Sequence, residues 1–311
     1  MNKYILLIIS MLACLFGGML KKVFTNRFPN NPLAEQVFNL VTFTSAAIVL
    51  ICWGGFSNLS WFTLLLSLAF GIITALQQLS SLKAMNCGPW SYTSVITALS
   101  TLIPALSGVL FWHESLHYAQ IVGIILMVVC FLLSVDTKKG QKNASIKWLL
   151  WCFAVFICTG LIGVMQKWHQ SSDYKGELNS FLIIAFLSSS AYSLACCIGL
   201  KRKLPENLSF IDAFFSEKTA HNEKLTVAKQ LIPTVTIMLL VGVSVAINNK
   251  LNLHLSGIID SAVFFPIVNG GGLVLTTVAS AALFREKLSL KQWIGLFVGI
   301  VSVIFLANPF G

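Results

Sequence analysis

Residues 111–123 read FWHESLHYAQIVG and residues 283–295 read LFREKLSLKQWIG. At a fixed offset of 172, Glu114, Leu116, Gln120 and Gly123 fall on Glu286, Leu288, Gln292 and Gly295. Each segment joins a long apolar stretch to a final one. A second match lies earlier, where Gly18-Met-Leu-Lys-Lys resembles Gly163-Val-Met-Gln-Lys at an offset of 145. The two offsets differ by 27 residues, and the polar stretch from about Lys201 to Lys229, absent from the first half, supplies the difference. Self-similarity of this kind points to a duplicated unit. The expected division is a first repeat over 1–136 and a second over 147–311, with a polar insertion at about 201–229.

Between these matches the chain is overwhelmingly apolar. Of its 311 residues 56% are hydrophobic and 10% charged, against roughly 25% charged in a soluble domain. Crossing a ~30 Å hydrocarbon layer takes about 20 apolar residues in a helix. Such stretches run near 3–20, 34–53, 61–82, 90–112 and 117–135, and again near 147–166, 179–200, 231–249, 256–283 and 289–308. A transmembrane barrel needs short alternating strands, which the unbroken run Ile121 to Val135 excludes. The expected fold class is therefore an all-α integral membrane protein, with ten transmembrane helices as two inverted five-helix repeats. Five is odd, so the second half enters from the opposite side; secondary transporters built this way hold substrate near the midplane between the halves.

The first stretch has no small-residue cleavage site and runs directly into Lys21 and Lys22, so it reads as a retained helix. Trp53, Trp61, Trp90, Trp112, Trp148, Trp168 and Trp293 mark span ends, as an interfacial belt would. The eight cysteines form no C-x-x-C pair and read as small apolar fillers. The net charge of +10 reports orientation rather than nucleic-acid binding. With ten spans, Lys3, Lys167, Lys175 and Lys250 fall on the side of the N-terminus, and the other seventeen of the 21 Lys and Arg on the opposite side. Positive charge collects in cytoplasmic loops, so both termini are expected outside. Very short termini suit a bacterial inner (cell) membrane. The partners expected are the lipid bilayer and a small-molecule substrate, with no nucleic acid, in a monomer or homodimer, and no cofactor is expected.

The doubled pattern E-x-L followed by Q-x-x-G and a last apolar helix resembles the EamA type of the drug/metabolite transporter superfamily, over the whole chain apart from the insertion. The resemblance implies a central cavity lined by spans 1, 3, 4, 6, 8 and 9, with spans 5 and 10 at the periphery. The opening Met1-Asn2-Lys3-Tyr4-Ile5, with Ala13, is similar to the first helix of the small multidrug exporters. Those carry a proton-coupling glutamate directly after that alanine, where this chain has Cys14. A thiol in hydrocarbon does not shuttle protons near pH 7. The superfamily is also often drawn with cytosolic termini, against the charge count.

Polar groups inside a membrane mark pathways by default. Gln77 and Gln78 in span 3 are echoed by Asn248 and Asn249 in span 8, span 4 adds Thr93, Thr97 and Ser100, and span 9 adds Asn269 beside Gly270, Gly271 and Gly272. Amides both donate and accept, which suits a polar organic solute; interhelical hydrogen bonding explains them equally well. Pro266 makes a kink in span 9 plausible. Asp260 reads as an N-cap, and Lys83 and Lys250 as snorkelling cations near span ends. Phe210, Ile211, Phe214 and Phe215 in the insertion suggest a surface amphipathic helix.

His113-Glu114-Ser115-Leu116-His117 spells H-E-x-x-H, which on one helix binds zinc and supplies a general base. The repeated segment keeps the glutamate but neither histidine, so Glu114 and Glu286 read better as carboxylates at helix N-termini. The expected function is a secondary transporter of a small polar metabolite, acting by alternating access and not an enzyme. The alternatives are an intramembrane zinc metalloprotease or other membrane enzyme on the motif at 113–117, and a receptor-like protein without transport.

Overall fold

A computed structural model describes residues 3–56, 58–88, 90–114, 117–134, 146–202, 224–283 and 289–306. Every regular element among them is helical: α1 (Lys3–Arg27), α2 (Pro32–Gly54), α3 (Trp61–Cys87), α4 (Trp90–Leu99), α5 (Leu102–Trp112), α6 (Tyr118–Ser134), α7 (Ile146–Gln170), α8 (Leu178–Lys201), α9 (Lys224–Ser256), α10 (Ser261–Leu283) and α11 (Leu290–Leu306), with a 3-10 turn at Lys175–Glu177 before α8. Seven helices among the described residues are long and apolar enough to cross a membrane: α1, α2, α3, α7, α8, the Leu231–Ser256 part of α9, and α10. Shorter apolar stretches cover Thr97–Trp112, Tyr118–Cys130 and Trp293–Ser302.

The distribution of side chains is inverted relative to a soluble bundle. Leu65, Leu110, Phe111 and Phe297 stand more than half exposed on the outside, while Ser10, Asn39, Thr42, Ser67 and Ser189 are fully buried. Lipid tails cover the first set at no cost, and the second must find hydrogen bonds inside the protein. They do: Ser189 donates to the Gly71 carbonyl at 2.7 Å, and Asn39 to that of Ala75 at 3.3 Å. The chain is an all-α, multi-pass membrane protein.

Helices pair across the sequence midpoint. α1 packs on α9 and α3 on α7; α2 packs on α8 and α9; α3 also meets α8; α4 and α5 lie on α10; α6 pairs with α11. Without a hydrophobic drive between helices in lipid, close approach depends on small residues. A Cβ at Gly71 would fall on the Ala185 carbonyl oxygen of α8, and one at Gly242 would sit 2.6 Å from the Thr42 carbonyl oxygen of α2.

Helix ends are capped by identifiable groups. The Asn31 side chain accepts from the Ala34 N–H at 3.0 Å, with Pro32 in the first turn of α2. Ser60 accepts from the Thr63 N–H at the start of α3, and the Glu177 carboxylate takes both the Ser60 N–H (3.0 Å) and hydroxyl (2.8 Å).

Several expectations are corrected. α1 continues to Arg27 rather than stopping near residue 20, and carries Lys21 and Lys22 within the helix. The fourth apolar stretch is two helices, not one. Pro104 has no N–H to offer the Ser100 carbonyl, so the turn tightens to three-residue hydrogen bonds, Ser100 to Thr97, Thr101 to Ala98 and Ile103 to Ser100. Pro266, by contrast, is absorbed near the start of an unbroken α10. Trp90 and Trp148 turn inward at 1% and 7% exposure instead of joining the interfacial belt, because Gly18 and Gly88 leave room for their rings. Lys83 and Lys250 lay their ammonium groups over the Trp151 and Trp53 rings, at 4.4 and 4.2 Å. Within the insertion, Phe210, Ile211, Phe214 and Phe215 lie outside the described residues, and so does Glu286.

Candidate functional site

A cavity of about 230 Å³, partly open to the outside, lies between the paired helices. Among the described residues its wall comes from α1, α3, α4, α7, α9 and α10, with Phe43 from α2, and none from α5, α6, α8 or α11. Six of the seven residues singled out in the sequence line it: Gln77, Gln78, Thr97, Asn248, Asn249 and Asn269. Thr93 does not. It is 1% exposed and meets the Cys152 side chain on α7, while its carbonyl accepts the Thr97 hydroxyl at 2.9 Å.

The amides divide into two kinds. Asn248 donates to the Ser10 carbonyl and hydroxyl, both at 3.0 Å, and Ser10 in turn donates to Asn252 at 2.5 Å, which ties α9 to α1. Asn249 donates to the Val245 carbonyl and accepts from Gln166 at 3.5 Å; Gln77 donates to Thr159 at 3.3 Å. For these three the interhelical reading holds. Gln78 differs: it is 2% exposed, and its Nε2 has no hydrogen-bond partner among the described residues. Such a donor is expensive to leave unmade. Asn269 also lines the cavity with no hydrogen bond to the described residues. Gly272 borders it with nothing within 4 Å of where a Cβ would stand.

Sequence reading missed Lys21, the one charged residue in the described lining. It was counted as a loop cation because α1 was expected to end before it. The signal was present, since the offset of 145 sets Lys21 against Gln166, which lines the cavity on α7.

At one end the halves are locked together. Lys167 on α7 forms an ion pair with Glu114 at 2.6 Å, and the other carboxylate oxygen of Glu114 accepts from the Ser261 N–H at 2.8 Å and the Ala262 N–H at 3.4 Å. A carboxylate at a helix N-terminus satisfies free N–H groups and suits the helix dipole. Glu114 thus caps a helix, as expected, but one 147 residues away. Asp260 holds the N-cap position, its carbonyl accepting from Val263 and Phe264, while Glu114 provides the side-chain cap. Around this clamp α5 fits closely against α7, with Pro104 2.9 Å from where a Cβ at Gly163 would lie. His113 caps the end of α5 in the left-handed region (φ 51°), and His117 precedes α6. The two histidines do not share a helix, so the zinc face of H-E-x-x-H is not formed. Among the described residues no three His, Cys, Asp or Glu gather closely enough for a metal.

These features define a membrane protein with an internal cavity that carries polar groups among apolar ones. The chain matches no family model. An uncharacterized protein of Haemophilus influenzae is 22% identical over 246 residues, covering 77% of this chain and 74% of that one. A protein known from its crystal structure superposes with a TM-score of 0.65 over 99% of this chain and 97% of its own, at 13% identity. That likeness shows a shared fold over the full length and carries no function.

Proposed function

We propose that this protein is a secondary transporter of the drug/metabolite transporter superfamily, EamA type, moving a small polar metabolite by alternating access. One observation carries the reading: an apolar bundle holds a cavity into which amides and hydroxyls are set among apolar groups, with helices from both sequence halves in its wall. Polar groups inside a membrane bundle cost free energy unless they are hydrogen-bonded, and they mark solute pathways by default.

The proposed architecture is ten spans in two inverted repeats, α4 and α5 together making the fourth. The helix pairing supports it. Exchanging each span for its counterpart five places on turns the α1–α9 pair into α7–α3 and the α2–α9 pair into α8–α3, and leaves α2–α8 and α6–α11 unchanged. That invariance is what a twofold relation between halves produces. Two such halves can adopt interchanged conformations of nearly equal energy. The Glu114–Lys167 clamp and the α5–α7 contact then seal the cavity at one end. By the bias of Lys and Arg, the opposite face is cytoplasmic and the termini lie outside a bacterial inner membrane.

Counterflow in proteoliposomes tests the proposal. Preloaded unlabelled solute should drive transient accumulation of its labelled form, and Gln78→Leu should abolish this without loss of folded protein. If no metabolite class moves, the transport reading fails.

A further inference from the structure

Resting on that reading, we infer that the transported solute is a small organic anion, whose carboxylate is received by the Lys21 ammonium together with the Gln78 amide. Lys21 sits half-buried in the cavity wall, directly after the first apolar stretch and still within α1. It has no carboxylate partner among the described residues, whereas Lys167, one place beyond its repeat counterpart Gln166, is paired with Glu114. An ammonium in a low-dielectric wall is costly without an opposite charge. No Asp or Glu is present in the described lining to provide one.

A second group points the same way. The Gln78 Nε2 is a buried donor without an acceptor. Lys21 offers donors only, and Gln78 has its donor to spare. Two unanswered donors in one cavity call for an acceptor-rich group, and an anionic oxygen cluster satisfies both through charge-assisted hydrogen bonds. On α1 the lining continues from Lys21 toward the middle of the helix through Gly18, Gly17, Cys14 and Ala13.

One ammonium balances one charge. A phosphate monoester carries about −1.5 to −2 at neutral pH and would leave charge uncompensated in the cavity. A zwitterion would bring an ammonium for which the described lining has no carboxylate. A monocarboxylate with a hydroxylated or amide-bearing body fits best, its remainder meeting Asn269 and Thr97.

The test uses the full chain purified in detergent. Thermal stabilisation is measured with hydroxy-monocarboxylates such as lactate, glycerate and gluconate, their neutral amides, inorganic phosphate and glycerol phosphate, and the amines ethanolamine and glycinamide. At least one carboxylate should stabilise the protein and its own amide should bind roughly 10- to 100-fold more weakly, the range for a charge-assisted hydrogen bond. Lys21→Gln should impose a similar loss and Lys21→Arg should retain most of the affinity. The wild-type comparison of acid against amide keeps the inference falsifiable should Lys21→Gln fail to fold. Equal binding of acid and amide, stabilisation by amines or phosphates alone, or no stabilisation by any carboxylate overturns it. Counterflow run alongside separates the two readings. A carboxylate that binds through Lys21 but never moves refutes transport and spares the anion site; neutral solutes that move unaffected by Lys21→Gln refute the anion site and spare transport.

Discussion

Glu114→Gln removes one charge while keeping the size of the side chain, and so isolates what the ion pair with Lys167 does. The two side chains are 6% and 11% exposed. Breaking a pair so buried by removing one partner costs about 3–5 kcal/mol, because a charge is left uncompensated. Lys167 lies in the last turn of α7, where its stem can carry the ammonium part of the way toward water, which lowers the figure to about 2–3 kcal/mol. The glutamine oxygen still accepts from Ser261 and Ala262 but without charge, at roughly half the strength. Lys167→Met strands Glu114 instead, yet the N-terminal dipole of α10 keeps that carboxylate partly compensated, so about 1–2 kcal/mol is expected. The double variant should cost less than the sum by about 1–2 kcal/mol, since neither charge is then alone. Unfolding free energies from titration with sodium dodecyl sulfate would measure all four corners of this cycle. Strict additivity, within about 0.5 kcal/mol, would refute the clamp as described.

Gly71→Ala should lose about 1–3 kcal/mol in the same assay, because its Cβ meets backbone rather than a movable side chain. Gly272→Ala should keep or gain up to about 1 kcal/mol, as a helical glycine replaced in open space, while Gly272→Leu should weaken solute binding by filling the cavity; wild-type binding there would remove Gly272 from the wall. Asn31→Ala should cost about 1 kcal/mol through the lost cap on α2, with Asn31→Asp close to wild type. Gly55, at φ 65° and ψ −175°, occupies a region closed to side chains, so Gly55→Ala should cost about 1–3 kcal/mol although nothing crowds it.

Apolar run length was enough to read a helical membrane protein from sequence, because hydrocarbon thickness fixes the length of any spanning helix. Polar residues in those runs were equally visible, and six of the seven singled out line the cavity. Thr93 is not among them because a residue's face on a helix is set by its neighbours, and α7 claims that face through Cys152. Lys21 was missed for the opposite reason: hydropathy marks where lipid contact ends, and α1 continues beyond it. The amides of Asn248 and Gln77 look alike in sequence, and only the positions of Ser10 and Thr159 show them already engaged. The capping role of Glu114 was legible, but its target was not, since a contact across 147 residues leaves no local trace.

The interruption at Ser100 and Thr101 has a mechanical meaning. A continuous helix is a stiff rod, and a displacement at one end reaches the other. Here α4 carries Ser94, Thr97 and Ala98 into the cavity wall, whereas α5 carries Ile103 and Pro104 against α7 and Gly108 against Glu114. Pro104 uncouples the two by withholding one hydrogen bond. In the proposed transporter this would divide the fourth span into a lever that touches the cargo space and a wedge that closes the far exit, with the joint between them written into the chain as one proline.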